Sequence, residues 1–159
     1  MPPMLSEQEQ RDLEEQTLKV LLKKSDYEKI IAYARSQRPD EACGLIAGRD
    51  LDDGITREVR KVYMLTNVDH TNEHFSMDPK EQLAAVKDMR QNGLVPLGNW
   101  HSHPETPARP SEEDIRLSFD SRASYLILSL RVDERPEINS YHVVHCRDVA
   151  KEQLILVDG

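Results

Sequence analysis

Trp100-His101-Ser102-His103-Pro104 and, after six intervening residues, Ser111-Glu112-Glu113-Asp114 form the stretch on which the reading of this chain turns. Leu94 to His103 reads as a strand entering a loop punctuated by Pro104, Pro107 and Pro110. Alternate residues of a strand share a face. His101 and His103 therefore present two imidazoles to one point, while Trp100 turns to the opposite face and packs in the core. Ser111 reads as a helix N-cap followed by acids in the first turn. That places Asp114 where it can add a third, oxygen ligand. Two nitrogens and one carboxylate leave a fourth tetrahedral position open, the pattern of a catalytic rather than a structural zinc site. No thiolate lies in this segment, so an iron–sulfur cluster or a cysteine-rich zinc knuckle does not fit. Taken singly, each part has a plainer explanation: two polar strand residues, a cap, and an acid that suits the helix dipole. The joint spacing is what favours a metal.

Outward from this stretch the chain reads as one mixed domain. Leu18 to Leu22 is a short apolar strand. A helix follows, with Ser25 or Asp26 as its cap and Tyr27, Ile30, Ile31 and Ala34 on one face. Pro39 ends it, because the residue before a proline avoids the helical region. Glu41 to Gly48 is a buried strand, Asp52-Asp53-Gly54 a turn, and Glu58 to Val68 the return strand of a hairpin. Asp78 and Pro79 open a second helix as N-cap and N1. Leu83, Val86 and Met89 line its face with Ala84 and Ala85 beside them, and Asn92-Gly93 stops it. Tyr125 to Val132, Ser140 to Cys146 and Gln153 to Val157 are three further strands. Two or three helices against a mostly antiparallel mixed sheet make an α/β (α+β) domain. It is expected over residues 17–159, behind a polar tail over 1–16.

Composition removes several function classes. The 159 residues carry 31% charged side chains and a net charge of −8. That balance disfavours a nucleic-acid binder, which would show a basic stripe. No apolar run approaches the roughly 20 residues of a membrane span. The start shows no basic segment followed by an apolar one, so no secretory signal is expected. Two cysteines, Cys43 and Cys146, make no disulfide framework and suit a reducing cytoplasm. A chain of this length buries enough surface to fold without a metal, so a metal here serves chemistry.

The pattern H-S-H-P-x6-S-x-x-D, with Glu41 upstream in P-D-E-A-C-G-L-I-A-G, resembles the motif of the JAMM (MPN+) zinc metallopeptidases, most closely their short prokaryotic members. The order of elements from about Leu18 to Val157 resembles the JAMM core, and the tail lies outside the resemblance. The resemblance implies a cytidine-deaminase-like architecture. It implies one zinc per chain held by His101, His103 and Asp114, with water in the fourth position. Glu41 would then act as general base and afterwards as acid to the leaving amine. Ser111 would hydrogen-bond the oxyanion. The implied substrate is a ubiquitin-like or sulfur-carrier protein, cut after its C-terminal Gly-Gly. Its extended tail is expected to add as a strand beside an exposed sheet edge.

Two other classes are weighed against this. A non-catalytic MPN-type scaffold or ubiquitin-like binding module would have lost ligands, and here the set is intact. A nucleobase deaminase would need H-x-E with P-C-x-x-C, which is absent. The remaining chemistry-bearing residues read more plainly. His70 and His74 are four apart, but Asn67, Asp69 and Asn72 mark a loop, which the family resemblance implies lines the substrate groove. His142 and His145 face opposite sides of a strand. Cys43 is a small buried thiol. Gly98 marks a close backbone approach or a strand irregularity.

Overall fold

The computed structural model describes residues 6, 7 and 18–159. The polar segment 1–16, Ser6 and Glu7 apart, lies outside the described residues. Seven strands and three helices follow: β1 Lys19–Lys23, α1 Lys24–Gln37, β2 Cys43–Asp50, β3 Thr56–Leu65, α2 Pro79–Gln91, β4 Val95–His103, α3 Glu112–Arg116, β5 Ser124–Ser129, β6 Glu137–Val144 and β7 Asp148–Val157. The mixed α+β class read from the sequence holds. The strands run in the order β1-β3-β2-β4-β5-β6-β7 and close into a ring, because β7 pairs back onto β1. Three pairings are parallel, β1/β3, β1/β7 and β4/β5. The other four are antiparallel.

Ring closure narrows where the expected docking edge can lie. Among the described residues every strand has two neighbours, so an open edge occurs only past a neighbour's register, as on β3 beyond Glu58.

Sheet alternation sorts the residues into two faces. Trp100, Leu126, Leu128 and Ile46 face the main core, which α1 covers with Ile30 and Ala34. Each of the buried Leu and Ile side chains contributes roughly 1.5–3 kcal/mol relative to exposure. The Trp100 indole is fully buried and donates from Nε1 to the Tyr63 carbonyl at 3.0 Å. Gly98 lets β4 approach β5: its φ is +155°, and a Cβ there would collide with the Ser124 carbonyl. The other face carries Ala47, packed under Ala85 and Met89 of α2. At its far end it carries the candidate site.

Several boundaries differ from the sequence reading for physical reasons. Neither Ser25 nor Asp26 caps α1. The helix leaves β1 directly, with Lys23 at N-cap and no side-chain cap. The free Ser25 N–H instead finds the Gly159 carbonyl at 3.1 Å. Leu83 does not face the core: it is 57% exposed, and the buried pair on α2 is Ala85 and Met89. Glu41 lies just before β2 rather than on it, β3 stops at Leu65, and β5 stops at Ser129. β7 begins earlier than expected, at Asp148. β6 ends at Val144, and His145 and Cys146 occupy positive φ in the turn to β7. Two successive residues with φ above zero suit the twist of a tight hairpin. His142 and His145 therefore do not share a strand. Asp78 at N-cap, Pro79 at N1 and the stop at Asn92-Gly93 stand as read.

Candidate metal centre

β4 ends with His101 and His103 on the outer face, both buried. Register places Cys43 of β2 and Ile127 of β5 on either side of His101. Past the proline loop, Ser111 caps α3 in a capping box. Its Oγ accepts the Asp114 N–H at 3.0 Å, and Asp114 Oδ2 accepts the Ser111 N–H at 2.9 Å. The box fixes the Asp114 carboxylate, and the same Oδ2 meets both imidazoles.

Three candidate ligand atoms thus form a near-equilateral triangle. His101 Nε2 and His103 Nε2 lie 3.1 Å apart, and Asp114 Oδ2 lies 3.2 and 3.1 Å from them. Ligands on a tetrahedral ion with bonds of about 2.0–2.1 Å stand about 3.3–3.4 Å apart. The triangle fits that edge length. Glu41 brings a carboxylate oxygen into the cluster, where it and the two ring nitrogens all lie within 4.8 Å of one another.

The surroundings fit the same use. His103 Nδ1 lies 2.8 Å from the Pro107 carbonyl, which can only accept. Nδ1 therefore carries a proton, and whenever the ring is neutral its Nε2 lone pair faces the cluster. Phe75 stacks on His101 with centroids 4.7 Å apart at 28°. Glu41 Oε1 and His101 Nδ1 are buried without a hydrogen-bond partner. A buried orphan of this kind calls for an explanation, and for Glu41 a ligand or water brought into the cluster supplies one.

Electrostatics follow from burial. It pushes the Glu41 carboxyl up to about 8, while His103 draws it partway back and Asp114 and Glu113 add to the rise. Burial would also raise Asp114, but hydrogen bonds from His101 and His103 outweigh it and hold that carboxyl well below the usual range. Burial pushes His101 down against the pull of Asp114. His103 is held above its ordinary value: burial acts downward, but Asp114 and the Pro107 carbonyl outweigh it. Burial likewise pushes the Cys43 thiol up to about 12, which suits the inert role read for it.

A cavity of about 490 Å³ opens beside the triangle, lined by His101, Asp114, Phe75, Met77, Leu117 and Phe119 among others. The loop before α2 reaches it through His74 to Met77. His70 and His74 do not converge on a metal. His70 has a φ of +48° and lies 3.9 Å from Asp40, whereas His74 lies 3.0 Å from Asp69.

Sequence reasoning missed the supporting residues. Ser102, fully buried on the core face, accepts the Ala42 N–H at 2.8 Å. A hydroxyl between two histidines, on the side that should be apolar, was the available signal. Asn67, Phe75 and the Pro107 carbonyl carried none.

Fold and cluster together define a mixed α+β domain built around a site competent for one metal ion. The family model described as prokaryotic homologs of the JAB domain matches residues 23–144. The chain belongs to this prokaryotic JAB family. It is 36% identical over 115 residues to the CysO-cysteine peptidase of Mycobacterium tuberculosis, covering 72% of this chain and 76% of that protein. It is 39% identical over 87 residues to a probable TtuB-protein conjugate cleaving protease of Thermus thermophilus, covering 54% of this chain and 53% of that one. The solution structure of a Desulfitobacterium hafniense protein superposes with a TM-score of 0.80 at 51% identity, over 89% of this chain and 94% of that one.

Proposed function

We propose that this chain is a zinc-dependent metallopeptidase or isopeptidase that hydrolyses the bond after the C-terminal Gly-Gly of a ubiquitin-like or sulfur-carrier protein. The observation that carries the reading is the triangle of His101 Nε2, His103 Nε2 and Asp114 Oδ2, with sides of 3.1–3.2 Å and the Glu41 carboxylate beside it. The relatives' names, a CysO-cysteine peptidase and a TtuB-conjugate cleaving protease, point to the substrate class.

His101, His103 and Asp114 would hold the zinc. Zinc in such a site supplies a Lewis acid and a water acidified to a pKa of about 7. Glu41 receives the proton of the attacking water and returns it to the departing amine; its burial and its orphan Oε1 suit a base that must reach a water directly. Ser111 Oγ accepts from Asp114 N–H in the capping box. Its own O–H therefore stays free to donate to the oxyanion. His103 keeps its Nδ1 proton on the Pro107 carbonyl throughout, and Phe75 holds the His101 ring plane.

The test is incubation with Gly-Gly-ending carriers extended at the C-terminus by an amino acid, a peptide or a lysine-linked partner, read by intact mass. Loss of the extension at the second glycine is expected. It should disappear on chelation, while the circular dichroism of the fold remains. Unchanged masses across the panel by protein containing one zinc per chain would overturn the reading. A domain of this reading works on soluble carriers in the cytoplasm, and no described helix is long and apolar enough to cross a membrane.

A further inference from the structure

Glu41 stands outside the sheet that fixes the histidines. β2 begins at Cys43, so no ladder hydrogen bond holds the backbone of Glu41. Its backbone groups go instead to a loop 26 to 30 residues away in sequence. The Glu41 N–H donates to the Thr71 carbonyl at 2.8 Å, and the Glu41 carbonyl accepts from Asn67 Nδ2 at 3.0 Å.

Asn67 is the knot of that loop. It is buried, 5% exposed. Nδ2 donates also to the His74 carbonyl at 3.1 Å, while Oδ1 accepts the Asp69 N–H at 3.0 Å and the Ser76 N–H at 3.1 Å. An asparagine side chain offers two donor hydrogens and two lone pairs, and all four are used. The two carbonyls on one side and two N–H groups on the other leave a single orientation of the amide. The loop is closed below by the Asn67–Met77 bridge. It is tied to α2, because Glu81 accepts from Thr66 N at 2.6 Å and Thr66 Oγ1 at 2.8 Å. The same loop carries Phe75, which stacks on His101.

A residue that merely stapled its own loop would need only the bonds to 69, 74 and 76. The bond to Glu41 leaves the loop and ends on the residue whose carboxylate faces the cluster. We propose that Asn67 is a positioning residue: it clamps the Glu41 backbone and, through the 66–78 loop, sets Glu41 and Phe75 against the histidine pair as one unit. This rests on the reading of Glu41 as general base.

The test compares zinc-loaded wild type with Asn67→Asp and Asn67→Ala on an extended Gly-Gly carrier. Asn67→Asp keeps the two acceptor bonds to Asp69 N–H and Ser76 N–H and loses both donor bonds, to the Glu41 and His74 carbonyls, setting an oxygen against each. It should lower kcat by about 10–100-fold, the scale of a misplaced catalytic group. KM should stay within about twofold and zinc at one per chain. Amide hydrogen exchange gives the readout independent of turnover. In Asn67→Asp the Glu41 N–H should exchange at least about tenfold faster while Ser76 N–H stays protected. In Asn67→Ala both should exchange faster. Wild-type kcat in Asn67→Asp, unchanged Glu41 protection, or a kcat loss matched by lost zinc would each overturn the clamp. Wild type that cleaves no carrier would sink the functional reading instead, and the exchange of Glu41 and Ser76 would then judge the clamp alone.

Discussion

The two halves of the site are built by different means. His101, His103, Ser111 and Asp114 come from one run of sequence, and regular structure aims them. Ladder bonds on both sides hold β4, and one capping box sets the carboxylate. Glu41 comes from elsewhere and is held by bonds outside the sheet ladder: its N–H on the Thr71 carbonyl, its carbonyl on Asn67, and its neighbour Ala42 on Ser102. The first half assembles wherever the strand and helix form. The second depends on a loop tied down by individual hydrogen bonds, each worth about 0.5–1.5 kcal/mol net. The geometry of His101, His103 and Asp114 should therefore survive perturbations that disorder Glu41.

Glu41→Gln is the sharpest way to separate the halves. It should lower kcat by about 10²–10⁴-fold, the usual worth of a general base, and leave one zinc per chain by metal analysis. Retained turnover would remove the base half from the mechanism. Ser111→Ala should cost about 10²–10³-fold in kcat through the oxyanion. It also loses a cap worth about 0.5–2 kcal/mol to α3, seen as weaker zinc retention under chelator competition. A loss in zinc affinity with kcat unchanged at saturating zinc would leave Ser111 as a cap alone. Ser102→Ala strands the buried Ala42 N–H and should lower unfolding free energy by about 1–3 kcal/mol in denaturant titration. It joins the halves, so its effect on turnover should exceed its effect on zinc content.

The smallest effect is a pH dependence in metal-free protein. The Glu41 carboxyl rises from 4.5 to about 8 on folding. A folded-state pKa above the unfolded one means that stability is full below 4.5 and falls as pH rises toward 8. Metal-free Glu41→Gln lacks that slope. Its Tm should exceed that of metal-free wild type at pH 8, by about 2–4 °C for each kcal/mol recovered in a domain of this size, and match it near pH 4.5. Equal Tm values at pH 8 would show that Glu41 is better solvated than its burial implies.

The same contrast explains what the sequence could tell. The ligand half was legible because strand alternation and capping are short-range rules. His101 and His103 share a face, and Ser111 caps the helix that bears Asp114, as read. Glu41 was legible only through family resemblance, since nothing local distinguishes it from an ordinary strand-end carboxylate. Its clamp was invisible because Asn67 reads as loop filler until the fold closes 26 residues of chain around it. The same limit hid ring closure, which depends on β1 meeting β7 from opposite ends of the described fold. Helix caps failed where a strand runs straight into a helix. The α2 face failed because Leu83 carries helical spacing but meets solvent, and small Ala85 takes the contact.

β4 has a consequence for how such a protein can change. Trp100 and Ser102 point inward and His101 and His103 outward, so successive codons of one strand serve separate purposes. Drift at outward positions retunes chemistry with little effect on foldability, and drift at inward positions does the reverse. Ser102 differs in that its hydroxyl braces the chain beside Glu41. Another large apolar residue at Trp100 gives up one bond to the Tyr63 carbonyl, whereas at Ser102 it strands the Ala42 N–H next to Glu41.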